Sequence, residues 1–155
     1  MKLTYREGDV FGVPIGAEGY CLGVVARVGK RSGIVLGYFF GRLFRTLPSE
    51  ADAASLQPQG ATLVVRFGDF HLMDGRWPIV SRVPGWDREM WPMPKFVRIE
   101  PGSNRVYLVS YSDTDPGERI KEQRINDNSS NYERDSMRGA GAMEITLSKL
   151  SGSIR

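Results

Sequence analysis

Three short apolar runs, each closed off by glycine, fill the first forty residues and constrain this chain more than any other feature. Gly8-Asp9 opens Val10-Phe11-Gly12-Val13-Pro14-Ile15, and the turn Gly16-Ala17-Glu18-Gly19 leads into Tyr20-Cys21-Leu22-Gly23-Val24-Val25-Ala26-Arg27-Val28. A second turn, Gly29-Lys30-Arg31-Ser32-Gly33, precedes Ile34-Val35-Leu36-Gly37-Tyr38-Phe39-Phe40. Runs of this length, rich in β-branched and aromatic residues and bounded by turn formers, read as strands joined in a meander. Gly12, Gly23 and Gly37 within them suggest bulges or tight bends, as in the start of a small barrel. Pro14 belongs near a strand end or on an edge, because it cannot donate to a ladder.

The later segments keep to the same class. Leu47–Leu56 is a short helical candidate, with Ser49 as cap and Asp52 three residues on. Ala61–Phe67 reads as a strand, and Asp74-Gly75 signals a hairpin between Phe70–Met73 and Trp77–Val80. Pro84–Pro94 is irregular, and Pro101-Gly102-Ser103-Asn104 joins Phe96–Ile99 to Arg105–Val109 as another hairpin. Residues 111–141 are polar and of mixed charge, which fits a long ordered excursion or a mobile loop. Met143, Leu147 and Leu150 recur at helical spacing and favour a short final helix. The expectation is one domain over residues 1–155: mainly β (α+β), a bent antiparallel sheet or partly open small barrel with one or two short helices.

A chain of 155 residues can bury a real core without staples. Its single cysteine, Cys21, rules out a disulfide within the chain and fits a reducing compartment. The opening MKLTYREGDV has no apolar signal core, and no run approaches membrane-spanning length, so the expected setting is the cytoplasm, with no membrane partner. Net charge is +3, and the surplus lies early: residues 1–45 hold seven basic and three acidic groups. That is far from the dense basic stripe of a nucleic-acid binder and leaves an acidic partner unopposed.

The search for catalytic chemistry finds little. His71 is the one histidine, so no zinc site of histidines and cysteines can form, and neither metal nor cofactor is expected. A lone histidine between Phe70 and Leu72 is ordinarily structural; a hydrolase built on it would need an orienting acid and a nucleophile that the sequence does not identify. Cys21 sits in an apolar run, where burial is the default. No phosphate-binding glycine motif is present. The acidic pairs Asp113/Asp115 and Asp87/Glu89 lie in turn-like sequence, where solvated turn acids are the rule. Arg27, Lys30, Arg31, Arg42 and Arg45, interleaved with Tyr38, Phe39 and Phe40, invite the alternative of a small β-barrel that binds nucleic acid. Phe39 and Phe40 are neighbours in a strand, however, and must face opposite sides.

Trp77, Trp86 and Trp91 are all the tryptophans of the chain, and they fall within fifteen residues. Burial tendencies favour a structural plug, while hot-spot statistics favour an interface. If the segment meets a partner, Trp77, Trp86, Asp87, Arg88 and Trp91 are the expected contacts.

The same segment carries a resemblance. Phe67-Gly68-Asp69, Leu72, Trp77-Pro78 and Trp91-Pro92-Met93-Pro94 with Phe96 are similar, in order and spacing, to the motifs of the immunity protein 26 family of bacterial polymorphic-toxin systems. The opening EGDVFGVPIGAEGYCLGVV and the tail GAGAMEITLSKL resemble that family as well. Ser81 departs from its pattern, and 111–138 has little to align. The resemblance implies a non-enzymatic protein that binds and blocks a cognate toxin, and it brings no catalytic residues.

Overall fold

A computed structural model describes residues 2–126 and 131–154. Its centre is a six-stranded sheet. The meander supplies β1 (Asp9–Ile15), β2 (Gly19–Val28) and β3 (Ile34–Phe44), all antiparallel. β4 (Leu63–Gly68) pairs with β3, and β5 (Ile79–Arg82) pairs with β1. A second sheet holds β6 (Phe96–Ile99), β7 (Val106–Ser112), β8 (Asp115–Ile125) and β9 (Glu133–Arg134), in the order β8-β7-β6-β9. β10 (Met137–Arg138) returns to the first sheet beside β4. Neither sheet closes on itself, so the architecture is a bent open sheet and not a barrel.

The central sheet is covered on both faces, which is why its strands read as near-continuous apolar runs rather than alternating ones. On one face Phe11, Val13, Val25, Phe39, Val65 and Phe67 meet Trp77, Leu72 and the helix α3 (Ala140–Ile154) through Met143 and Leu147. On the other, Val10, Leu22, Val24, Leu36, Tyr38 and Phe40 meet Phe96, Val109 and Tyr111 of the second sheet, with Trp91 and Ala53. Phe39 and Phe40 thus do face opposite sides, and both are buried. The capped helix falls at α1 (Glu50–Ala54): Asp52 N–H donates to Ser49 Oγ, and the Asp52 carboxylate accepts from the Ser49 N–H.

Several expectations need correction. Two of the strand glycines serve as clearances for aromatic rings: a Cβ on Gly23 would collide with Phe11, which lies over it, and one on Gly37 with Phe67 and Phe39. Register shifts fall between Val25 and Arg27, where Gly37 is the partner of Val25, between Val10 and Phe11, just before Gly12, and between Tyr20 and Leu22. Asp74-Gly75 does turn the chain, but it does not close a hairpin. Phe70–Met73 forms a single helical turn, α2, and the chain then crosses to the opposite edge of the sheet, where β5 pairs with β1. Of the stretch 111–141, the described residues include the eleven-residue β8, the short β9 and β10 and the start of α3, while residues 127–130 lie outside the described residues. β8 shows no apolar alternation because it is an edge strand, and Glu118–Arg124 are exposed along it.

Candidate partner-binding surface

The three tryptophans, neighbours in sequence, divide between the two cores. Trp77 is buried on the α3 side; it stacks on Phe11 with the ring planes 1° apart, and its Nε1–H donates to Glu144 Oε2 at 2.9 Å. Trp91 is buried on the other side, edge-on to Tyr38 and Phe40. Trp86 is half-buried against Trp91, with ring centroids 5.9 Å apart, and its ring covers Gly8. Gly8 has φ +90, and a Cβ there would come within 2.8 Å of the indole, so this close approach requires glycine. Asp87 is exposed and Arg88 half-buried, beside the exposed Met90. Of the five expected contact residues, Trp86, Asp87 and Arg88 therefore reach solvent, whereas Trp77 and Trp91 are only 1% and 3% exposed.

A clamp of four charged side chains holds this segment. The shift between Val25 and Arg27 places Arg27 opposite Leu36, on the face that the second sheet covers. Its buried guanidinium donates to the carbonyls of Ala26, Arg88 and Trp91 and, at 2.7 Å, to Asp113 Oδ1. Arg88 donates to both carboxylate oxygens of Glu7, at 3.0 and 3.2 Å, and to Asp113 Oδ2 at 2.6 Å. The hydrogen bond from Arg27, followed by that from Arg88, holds the Asp113 carboxyl below its ordinary range, and the bonds to Glu7 and Asp113 push Arg88 upward. Arg88 is thus a tie between the N-terminal segment, the Trp/Pro segment and the β7–β8 turn.

Next to the clamp lies a cleft of roughly 620 Å³. Arg88 forms part of its wall, with Tyr5, Arg6 and Glu7 from the N-terminal segment, Lys30 and Arg31 from the β2–β3 turn, and Asp115 and Glu118 from the start of β8. The β2–β3 turn is braced: Gly29 N–H donates to the Ile34 carbonyl, Gly33 N–H to the Gly29 carbonyl, and Ser32 Oγ–H to Asp115 Oδ1 at 2.7 Å.

The remaining candidates occupy unremarkable places. His71 Nδ1 lies 3.0 Å from Asp74 Oδ2, and its ring packs between Phe70 and Trp77. The Arg76 N–H, ahead of His71, holds the Asp74 carboxyl low. Cys21 is fully buried under the sheet, with Sγ 3.9 Å from the Gly41 carbonyl oxygen. Asp115 and Asp87 each accept a backbone N–H two residues on, as turn acids do. Tyr38, Phe39 and Phe40 present no ring to solvent. No group of three or more metal-ligating side chains converges among the described residues. No helix among them is long and apolar enough to cross a membrane.

Sequence reasoning missed Arg27, Glu7 and Asp113 as members of the site. Arg27 did carry a signal, as a lone cation inside an otherwise apolar strand, where a buried charge needs a partner.

In comparison with known proteins, the family model described as immunity protein 26 matches residues 6–108. That span contains the meander and the whole Trp/Pro segment, while the glycine-rich tail and α3 lie beyond it. No curated protein and no solved structure matches the chain.

Proposed function

The chain belongs to the immunity protein 26 family, and from that premise we propose that it is a non-enzymatic inhibitor that binds a cognate toxin in the bacterial cytoplasm and neutralises it. Family membership carries this reading. The surface around Trp86 supports it: a half-buried indole, an exposed methionine and charged groups sit together on a segment that the fold holds rigidly. Aromatic and arginine side chains dominate binding hot spots, and a preorganised segment loses little entropy on association. In this reading Trp86, Asp87 and Arg88 meet the toxin directly. Trp77 and Trp91 act from beneath, by fixing the two ends of the segment in separate cores.

Co-expression with the toxin encoded by the adjacent gene tests the proposal. Protection of the host, and a stable complex on gel filtration, are the expected results. The absence of both protection and a complex would refute it.

A further inference from the structure

We propose that the cleft beside Arg88 seats an acidic segment of the toxin, its carboxylates placed between Arg6, Lys30 and Arg31. The inference rests on the immunity reading and names the chemistry of the partner at that surface.

The argument is one of charge left without a counter-charge. Arg27 and Arg88, the other cations close by, are engaged by Asp113 and Glu7. Lys30 and Arg31 are exposed, and neither forms an ion pair with another described residue. Arg6 is 73% exposed and has only a distant partner, Asp9 at 3.9 Å. Among the wall carboxylates, Glu7 is held by Arg88, and Asp115 accepts from Ser32 and from the Gly117 N–H. Asp115, whose donors are neutral, and Glu118 are thus left to face the three cations Arg6, Lys30 and Arg31. The cleft therefore offers a net positive potential within low-dielectric walls, which focuses the field on an incoming anion. The braced β2–β3 turn presents its two cations at fixed positions, so little order is lost on binding.

A protein segment fits this cleft better than a nucleic acid. Binding of single strands depends on aromatic platforms, and Tyr38, Phe39 and Phe40 are buried, as is Tyr5 in the cleft wall. A regularly charged phosphate backbone would also run past Glu118 and Asp115, whereas a polypeptide can place carboxylates against the cations and neutral or basic groups against those acids. Arg88, which lines the cleft, belongs to the same turn as the exposed Met90, so one partner can engage both.

The experiment compares toxin binding by the wild-type chain, by Lys30→Glu/Arg31→Glu, and by the charge-matched control Arg105→Glu/Lys149→Glu, whose sites are exposed and outside the cleft. Calorimetry is done with the adjacent-gene toxin domain, and thermal melts verify that all three chains fold. A loss of about 100-fold in the cleft variant, with less than about fivefold in the control, is expected from like charges opposed across an interface. Raising salt from about 0.05 to 0.3 M is expected to slow association of the wild type more than that of the cleft variant. If the wild type binds and protects while the cleft variant binds within about threefold of it, the cleft proposal falls and the immunity reading stands. A wild type that does not bind the toxin at all overturns both. Tight, salt-sensitive binding of a single-stranded oligonucleotide that the cleft variant loses, with toxin binding unchanged, assigns the cleft to nucleic acid and overturns the proposal.

Discussion

Asp135→Ala tests whether the two sheets are locked together by a buried ion pair. Arg66 of β4 stands opposite Leu36, in the same cross-strand row as Arg27, and faces the second sheet. Its Nη2 donates to Asp135 Oδ1 at 3.0 Å and to the Tyr111 hydroxyl at 2.8 Å, its Nη1 donates to the Pro116 carbonyl, and its guanidinium lies 3.6 Å from the centre of the Tyr111 ring. Tyr111 O–H donates in turn to Asp135, at 2.7 and 2.9 Å to its two oxygens. The Arg66 and Asp135 side chains are 10% and 8% exposed. Removing one partner of a buried pair costs about 3–5 kcal/mol, because the other charge is left without compensation. Arg66 keeps a carbonyl, a hydroxyl and a ring face, which places this case near the low end, at about 3 kcal/mol. At this chain length that corresponds to a fall in Tm of about 6–12 °C. Thermal and urea denaturation, followed by circular dichroism, measure it. Arg66→Met/Asp135→Ala should recover at least half of the loss, since deleting both charges leaves none uncompensated. A loss below about 1 kcal/mol in Asp135→Ala, or a double variant as unstable as the sum of the singles, would refute the reasoning.

Gly23→Ala forces a methyl into the Phe11 ring and should destabilise by about 2–3 kcal/mol in a urea titration, with the secondary structure retained. Burial pushes the Tyr38 and Tyr111 phenols up from 10.0 to about 12, so the fold stabilises their protonated forms; that stability is complete below pH 10 and drains away as pH rises through about 12. Alkaline unfolding that tracks tyrosinate absorbance over this window is expected, and Tyr111→Phe should weaken the dependence. Asp113 shows the opposite sign: its carboxyl is depressed by Arg27 and Arg88, so its contribution is present above the ordinary carboxylate range and is lost as pH falls below it. Asp113→Asn should lower stability at neutral pH and flatten the acid limb of a stability–pH profile. His71→Ala removes a largely buried ring that packs on Trp77, and should cost about 1–2 kcal/mol while leaving toxin protection intact; loss of protection in a folded variant would return His71 to the functional site.

How much was legible in the sequence depended on whether a signal was local. The meander could be read because its strands are bounded by glycine turns, and α1 because Ser49 and Asp52 satisfy each other's backbone within four residues. α3 was visible through the spacing of Met143 and Leu147, which both reach the core. β8 was not visible, since an edge strand with solvated side chains has no apolar period to detect. The false hairpin at Asp74-Gly75 had the right turn chemistry and the wrong partner: β5 pairs with β1, some seventy residues earlier, and no local feature announces that crossing. The position of Arg27 depended on a single shift of register, which moves a side chain to the other face of a sheet.

The Trp/Pro segment shows why identity and interface must be probed with different residues. The motifs that carry the resemblance include Trp77 and Trp91, both within the matched span, and these side chains lie in opposite cores of the central sheet. Trp77→Ala or Trp91→Ala would remove a large buried side chain, at about 3–5 kcal/mol, and would abolish toxin binding through loss of the fold whether or not a tryptophan touches the toxin. Such variants cannot locate a contact. Trp86→Ala, Asp87→Lys and Met90→Ala alter groups that reach solvent while Arg27, Glu7 and Asp113 still hold the segment in place. A loss of affinity in these variants with an unchanged melting temperature is a statement about the interface. The geometry thus turns a motif that identifies the protein into two separable sets of residues, one that builds the surface and one that presents it.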